Sequence, residues 1–316
     1  MSKSEVAVDY TDVREQIRSR SESVGSRKVR ERIIEFAMFL CAVFSVAITA
    51  GIVWVLVYES WNFFSNVSVI DFLTDTQWTV LFENPRYGIM PLVTGTLVTS
   101  MIALVVALPL GTIIAIYLSE YANSTVREIL KPILELLSAV PTVVFGYFAL
   151  LFITPMLQSI LPELPGFNML SAGIVIGIMI VPYISSLSED ALKAVPVTIR
   201  EGSYAMGATR VQTALRVLIP AAFSGIASAY VLGFSRAVGE TMVVALAAGT
   251  QPNLTLNPME GAATITAYIV QVSLGDLPHG SVAYQSIFAA GLTLMVMTLV
   301  FNIGGYFLRK RFREVY

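Results

Sequence analysis

Apolar residues fall in six runs that contain no charged side chain: 36–58, 87–119, 136–162, 164–188, 217–235 and 280–308. A bilayer core of about 30 Å needs about 20 helical residues, so each run predicts one membrane-spanning helix. Runs 136–162 and 164–188 are separated only by Glu163 within the Pro-Gly cluster 162–166, which reads as a tight turn between antiparallel helices. The fifth helix is expected over about 222–249, a span that carries Arg236 and Glu240 into the membrane.

The polar segments between these runs are as informative as the runs. Glu189, Asp190, Lys193, Arg200, Glu201, Arg210 and Arg216 crowd into residues 189–216. Each charge placed centrally in hydrocarbon costs roughly 2.5–3.5 kcal/mol, so this stretch belongs in water or against another protein. Residues 205–218 are rich in helix formers and broken near their start by Gly207, which predicts two short helices meeting at a glycine bend. Pro220 then marks the turn into the next span. At the other end, residues 1–32 carry eight Lys and Arg. Val6, Tyr10, Val13 and Ile17 recur at helical spacing there, as in an amphipathic helix lying on a membrane surface; the Ser, Arg and Glu content equally suits a disordered basic tail. Run 36–58 is too long for the apolar stretch of a cleavable leader, and no small-x-small site follows it. The expected organisation is a basic segment, 1–32, followed by a membrane domain, 33–316, that contains the polar loop 189–220.

Composition agrees with this division. Hydrophobic residues make up 55% and charged residues 13%, far from the soluble balance of about 45–50% and 25%. The fold class is therefore all-α, a polytopic membrane protein with six transmembrane helices. With the N-terminus in the cytoplasm, eighteen of the twenty Lys and Arg fall in cytoplasmic segments, leaving Arg86 outside and Arg236 within a span. That asymmetry places both termini and the polar loop on the cytoplasmic face. Cys41, the single cysteine, has no intrachain partner.

Small residues repeat every four positions at Ala103, Ala107, Gly111 and Ala115 in the second span, and at Gly225, Ala229, Gly233 and Ala237 in the fifth. Such spacing predicts close helix contact. Pro109, Pro141, Pro155 and Pro182 interrupt spans, either as kinks suited to an opening path or simply as prolines that membrane helices tolerate.

Arg236 and Glu240 stand one helical turn apart and are predicted to pair, either as a structural pair that keeps the helix neutral or as part of an anion site. Arg before Glu is the less favourable order for a helical pair, which argues against purely local stability, and a guanidinium presents planar donors suited to an oxyanion. His279, the only histidine, sits in a loop between Pro278 and Gly280. No histidine within a span stands ready to activate Ser235, and no Cys, His and carboxylate cluster has metal-ligand spacing. A phosphate-binding Gly-x-x-x-x-Gly-Lys-Ser/Thr loop is also lacking. No enzyme, cofactor, metal or nucleic-acid role is expected.

The spacing Glu201, Gly207, then Val217-Leu218-Ile219-Pro220 resembles the coupling motif of ABC importer permeases: Glu-Ala-Ala, three residues, Gly, nine residues, Ile-x-Leu-Pro. Here Gly202 and Ser203 stand for the two alanines and Val217 for the isoleucine. Tyr87-Gly88-Ile89-Met90-Pro91 leading to Gly95-Thr96-Leu97-Val98-Thr99-Ser100, together with the segment from Gly233 to Met242, is similar to the phosphate-permease branch of that family, the PstC type. The resemblance implies a type I importer in a bacterial inner membrane. Its expected partners are a sister permease subunit, a cytoplasmic ATP-binding subunit dimer, and a periplasmic binding protein that delivers inorganic phosphate. Coupling residues would be Glu201, Tyr204, Ala205, Met206, Gly207 and Pro220; Arg236, Glu240, Ser235 and Thr241 would line the substrate path. Sulfate or molybdate are rival substrates within this family. A stand-alone secondary anion transporter is the alternative outside it, although such a protein needs no helical loop shaped for a motor.

Overall fold

The computed structural model describes residues 10–80, 82, 84–275 and 277–311, with side chains from residue 28 onward except those of 29 and 308. The apolar stripe of Val6, Tyr10, Val13 and Ile17 lies outside the described side chains. Among the described residues there is no strand; Trp78 and Tyr87 form an isolated antiparallel bridge. The helices are α1 (Tyr10–Phe64), α2 (Val69–Thr74), α3 (Met90–Ile116), α4 (Ser124–Ala139), α5 (Thr142–Phe148), α6 (Thr154–Gln158) and α7 (Met169–Lys193). They continue as α8 (Val197–Ala205), α9 (Arg210–Thr213), α10 (Ile219–Ala221), α11 (Phe223–Val238), α12 (Met242–Ala247), α13 (Ile265–Ser273) and α14 (Val282–Arg311). Wide turns at Tyr117–Tyr121, Ala149–Ile153 and Ala214–Leu218 link some of them. The chain divides into compact units 1–55 and 56–316.

Four helical stretches are long and apolar enough to cross a bilayer: Arg30–Phe64, Met90–Tyr121, Met169–Lys193 and Val282–Arg311. Two bent pairs bring the number to six if each counts as one span. One of them corrects the continuous third helix expected over 136–162. Its first residues belong to α4, and the axis turns by 87° before α5. The cause is local: Val140, which precedes Pro141, is forced out of helical geometry to φ −64°, ψ 131°. The second pair turns by 76° between 210–221 and α11, at the position where Pro220 predicts a turn. α7 starts at Met169 because Asn168 accepts a hydrogen bond from the Ser171 N–H at 2.7 Å, capping the helix.

α7 is the centre of the larger unit. Ile176, Ile180 and Ile184 have no exposed surface, and the expected small-residue stripes grip the helix from two sides. On α3, Ala103, Ala107 and Ala115 are buried. A Cβ on Gly177 of α7 would come within 2.7 Å of the Val106 Cβ, and one on Gly173 within 2.6 Å of the Ile102 Cβ. On α11, a Cβ on Gly233 would meet the Ile184 Cδ1 at 3.0 Å, and Gly225 lies against Ala191. Glycine is needed at these crossings because backbones this close leave no volume for a side chain. Near the Met169 end of α7, Phe63, Phe72, Trp78 and Tyr268 form edge-on aromatic contacts that seat α2 and α13, with the Trp78 and Tyr268 centroids 4.9 Å apart. Large apolar side chains left exposed on α1 and α14, such as Phe44 and Val300, are what lipid-facing helices present.

Candidate functional site

Arg236 stands in the last turn of α11. Its guanidinium carbon lies over the ring of Tyr183 on α7, 4.2 Å from the centroid, and its buried Nε has no acceptor among the described residues. Tyr183 is ten residues from the Lys193 end of α7 and fourteen from the Met169 end. At 1.5 Å per residue these are about 15 Å and about 21 Å, but Glu189, the first charge of the polar loop, is six residues or about 9 Å away, so the cation lies inside the apolar run towards its polar-loop end.

The expected pairing of Arg236 with Glu240 is absent here. The fifth helix, expected to run to 249, stops at Val238, and Gly239 and Glu240 turn the chain before α12. Glu240, only 8% exposed, directs Oε1 to the N–H groups of Met242 (3.2 Å) and Val243 (3.3 Å). A carboxylate satisfies the free donors and the positive end of a helix N-terminus, so it serves α12 in place of the arginine. The Thr266 hydroxyl, from α13, donates to the Glu240 carbonyl at 2.6 Å and fixes the turn. Of the other expected path residues, Ser235 donates to Asn302 Oδ1 on α14 at 3.1 Å, and Thr241 donates to the Gly239 carbonyl at 3.2 Å. Neither has a hydrogen bond with Arg236 among the described residues.

The polar loop forms the predicted bend. Gly207 has φ +82°, a left-handed conformation natural to glycine, and joins α8 to α9. Thr209 and Gln212 form a reciprocal capping box at the start of α9, and Ser203 and Thr213 share a 2.8 Å hydrogen bond across the bend. Glu201, Tyr204, Ala205, Met206, Gly207 and Pro220 are all exposed, Met206 by 88%. The bend is thus firmly braced and its tip, at Met206, is apolar.

Two buried carboxylates lie near this loop: Glu189, expected in water or against another protein, is instead buried within the chain, and Glu120 was not singled out by sequence. Glu120, with a side chain 3% exposed, sits in the turn after α3, where Arg200 of α8 pairs with it at 3.1 Å and the Tyr204 hydroxyl donates to it at 3.3 Å. Burial, followed by the Glu120 charge, pushes the Tyr204 phenol above its ordinary pKa. Glu189, fully buried on α7, meets Arg127 (3.4 Å) and Lys131 (3.4 Å) from α4, and Lys193 from its own helix. Arg127 also donates to the Leu118 carbonyl at 3.0 and 2.6 Å. The Glu-before-Lys order of Glu189 and Lys193 at four residues is a legible helical signal; nothing in the sequence marks Glu120. No group of three or more His, Cys, Asp or Glu able to hold a metal converges among the described residues.

A helical bundle centred on α7, built from long apolar helices and carrying a braced polar loop, is the architecture of a polytopic membrane protein. The family model for the binding-protein-dependent transport system inner membrane component matches residues 107–314. The chain is 35% identical to the probable ABC transporter permease protein YqgH of Bacillus subtilis, over 92% of this chain and 93% of that one. It is 30% identical to the phosphate transport system permease protein PstC of Mesorhizobium japonicum, over 92% and 94%. The fold matches a bacterial ABC transporter involved in the import of the polysaccharide alginate, with TM-score 0.58 and 18% identity over 85% of this chain and 95% of that one. The chain belongs to the family of binding-protein-dependent transport system inner membrane components, and is a multi-pass permease subunit of an ABC importer.

Proposed function

We propose that this chain is one permease half of an ATP-driven importer for inorganic phosphate in a bacterial inner membrane. Similarity to PstC proteins over 92% and 78% of this chain supports the substrate class, and the observation that carries the reading is Arg236, a cation within the apolar stretch whose buried Nε has no acceptor among the described residues. Its fixed charge offsets part of the desolvation cost of an oxyanion, and its planar donors match the ligand's oxygens. A sister permease subunit supplies the other wall of the path. The loop 189–220 faces the cytoplasm, and the tip Glu201 to Gly207 docks on an ATP-binding subunit dimer; a periplasmic binding protein delivers the anion from the other side.

Co-purification and stimulated ATP hydrolysis test this directly. An ATPase subunit should accompany the chain, and hydrolysis in the reconstituted complex should rise with phosphate-loaded binding protein. Stimulation by sulfate or molybdate but not by phosphate would reassign the substrate, and a chain that purifies without an ATPase would refute the assembly.

A further inference from the structure

We infer that Tyr183 is a positioning residue for anion passage: its ring supports the Arg236 guanidinium from one side and so presents the arginine's N–H donors to the substrate. This rests on the reading of Arg236 as a path residue.

The two side chains meet because of how their helices pack. Gly233, one turn before Arg236, faces Ile184, the neighbour of Tyr183, so α11 lies close enough to α7 for the guanidinium to reach the ring. Ile184 is also held from the α3 side, where a Cβ on Gly111 would come within 2.7 Å of its Cγ2. The ring therefore stands on a segment clamped from two directions. On its other side the ring lines a cavity of about 220 Å³ with Lys131, Glu135, Pro182, Ser186 and Glu189, to which Arg236 does not contribute.

A ring differs from a carboxylate in what it leaves available. A carboxylate would neutralise Arg236 and occupy its donors, and an incoming anion would have to displace it against a strong attraction at low dielectric. The face of an aromatic ring attracts the cation through its quadrupole but accepts none of the in-plane N–H bonds and removes none of the charge. The lack of an acceptor for Arg236 Nε is the mark of that arrangement. Glu240, the carboxylate nearest in sequence, is engaged with α12.

The test is uptake of radiolabelled inorganic phosphate by vesicles containing the assembled complex, with assembly verified by the co-purified ATPase. Tyr183→Leu is expected to lower the maximal uptake rate by about tenfold, between the exposed and desolvated limits for a lost cation–π contact, with a smaller change in the KM for phosphate-loaded binding protein, which reports docking outside the membrane. Tyr183→Phe and Tyr183→Trp, which keep a ring face, are expected to stay within about threefold of the natural chain. Natural kinetics in Tyr183→Leu, or a loss in Tyr183→Phe equal to that in Tyr183→Leu, overturns the inference. Should Tyr183→Leu fail to assemble, the Phe and Trp variants still decide, since a loss of about tenfold in both refutes support by the ring. Normal uptake by Arg236→Gln alone would instead refute the reading of the path, a separate outcome.

Discussion

Arg200 and Glu120 meet at 3.1 Å, and through them the short helix α8 of the polar loop is joined to the end of the long helix α3. Glu120 is nearly out of water, so the pair is maintained by the cost of leaving that carboxylate unmatched as much as by attraction. Arg127 grips the Leu118 carbonyl of the same turn while reaching Glu189 on α7. A displacement of the loop would thus be felt by both central helices. Arg200→Met is expected to destabilise the solubilised protein by about 2–3 kcal/mol, towards the lower end for a pair whose arginine remains partly exposed. In a double-mutant cycle, Arg200→Met with Glu120→Gln should cost less than the two single changes added together. Strict additivity in thermal unfolding would show that the contact carries no coupling.

Gly207 separates two effects that are usually mixed. Its φ of +82° penalises any side chain, yet nothing lies within 4 Å of a Cβ placed there. Gly207→Ala should therefore cost about 1–2 kcal/mol of backbone strain and leave uptake largely intact. Gly207→Trp should carry similar strain but project bulk from the exposed tip, uncoupling ATP hydrolysis from uptake. Normal ATPase binding together with normal transport in Gly207→Trp would sink the docking assignment.

Packing between α3 and α7 makes a sharper stability prediction. Gly177→Val forces a side chain into backbone and Val106 at once, so the complex should lose 3 kcal/mol or more, roughly the upper range for overpacking. Gly304→Ala, where nothing lies within 4 Å, should be neutral or slightly stabilising in the same thermal assay. Equal midpoints for the two variants would mean that the α3–α7 crossing is looser than the geometry indicates.

Glu260 gives a pH-dependent expectation. Hydrogen bonds from Thr255 and Asn257, with a smaller one from Asn253, hold its carboxyl below the usual carboxylate pKa. A lowered folded pKa means that the ordering of loop 253–261 is present above the ordinary carboxylate value, about 4.3, and is lost as pH falls through the lowered one. Met169 and Leu170 donate to the carbonyls of Glu260 and Pro258, so the start of α7 should loosen with the loop. Faster amide hydrogen exchange at Met169 and Leu170 near pH 3 than near pH 6, after correction for intrinsic rates, is the expected reading. Glu260→Gln should remove the difference.

How much of this was legible depended on whether a feature was written locally. The apolar runs, the Gly207 bend and the four-residue stripes follow from period and residue type, and the structure has them. The turn at Val140 was also written, in the proline that follows it, but an unbroken apolar run hid it. The break after Val238 was not legible: a span over about 222–249 puts Glu240 one turn from Arg236 and suggests a partner, whereas its cap to α12 exists only once the helix has ended. Tyr183 and Glu120 acquire meaning only through neighbours distant in sequence, Arg236 and Arg200, which no local pattern specifies.

The separation of Arg236 from Glu240 changes what their substitutions should do. If the two residues formed a pair, Arg236→Gln and Glu240→Gln would each strand a buried charge and fail alike. Here Glu240 serves the α12 backbone, and a glutamine oxygen can accept the same N–H groups, so Glu240→Gln should retain most phosphate uptake. Glu240→Ala removes the acceptor and should cost about 1 kcal/mol of stability, as loss of a helix cap does. Arg236→Gln should abolish uptake in an assembled complex, because the donors persist in part but the charge that offsets anion desolvation does not. Arg236→Lys should keep part of it, since the charge survives without the planar fork. The measurement is phosphate uptake across all four variants at matched complex levels. A Glu240→Gln defect as deep as that of Arg236→Gln would mean that the two residues pair in another state of the cycle and that the turn at Gly239 is mobile during transport.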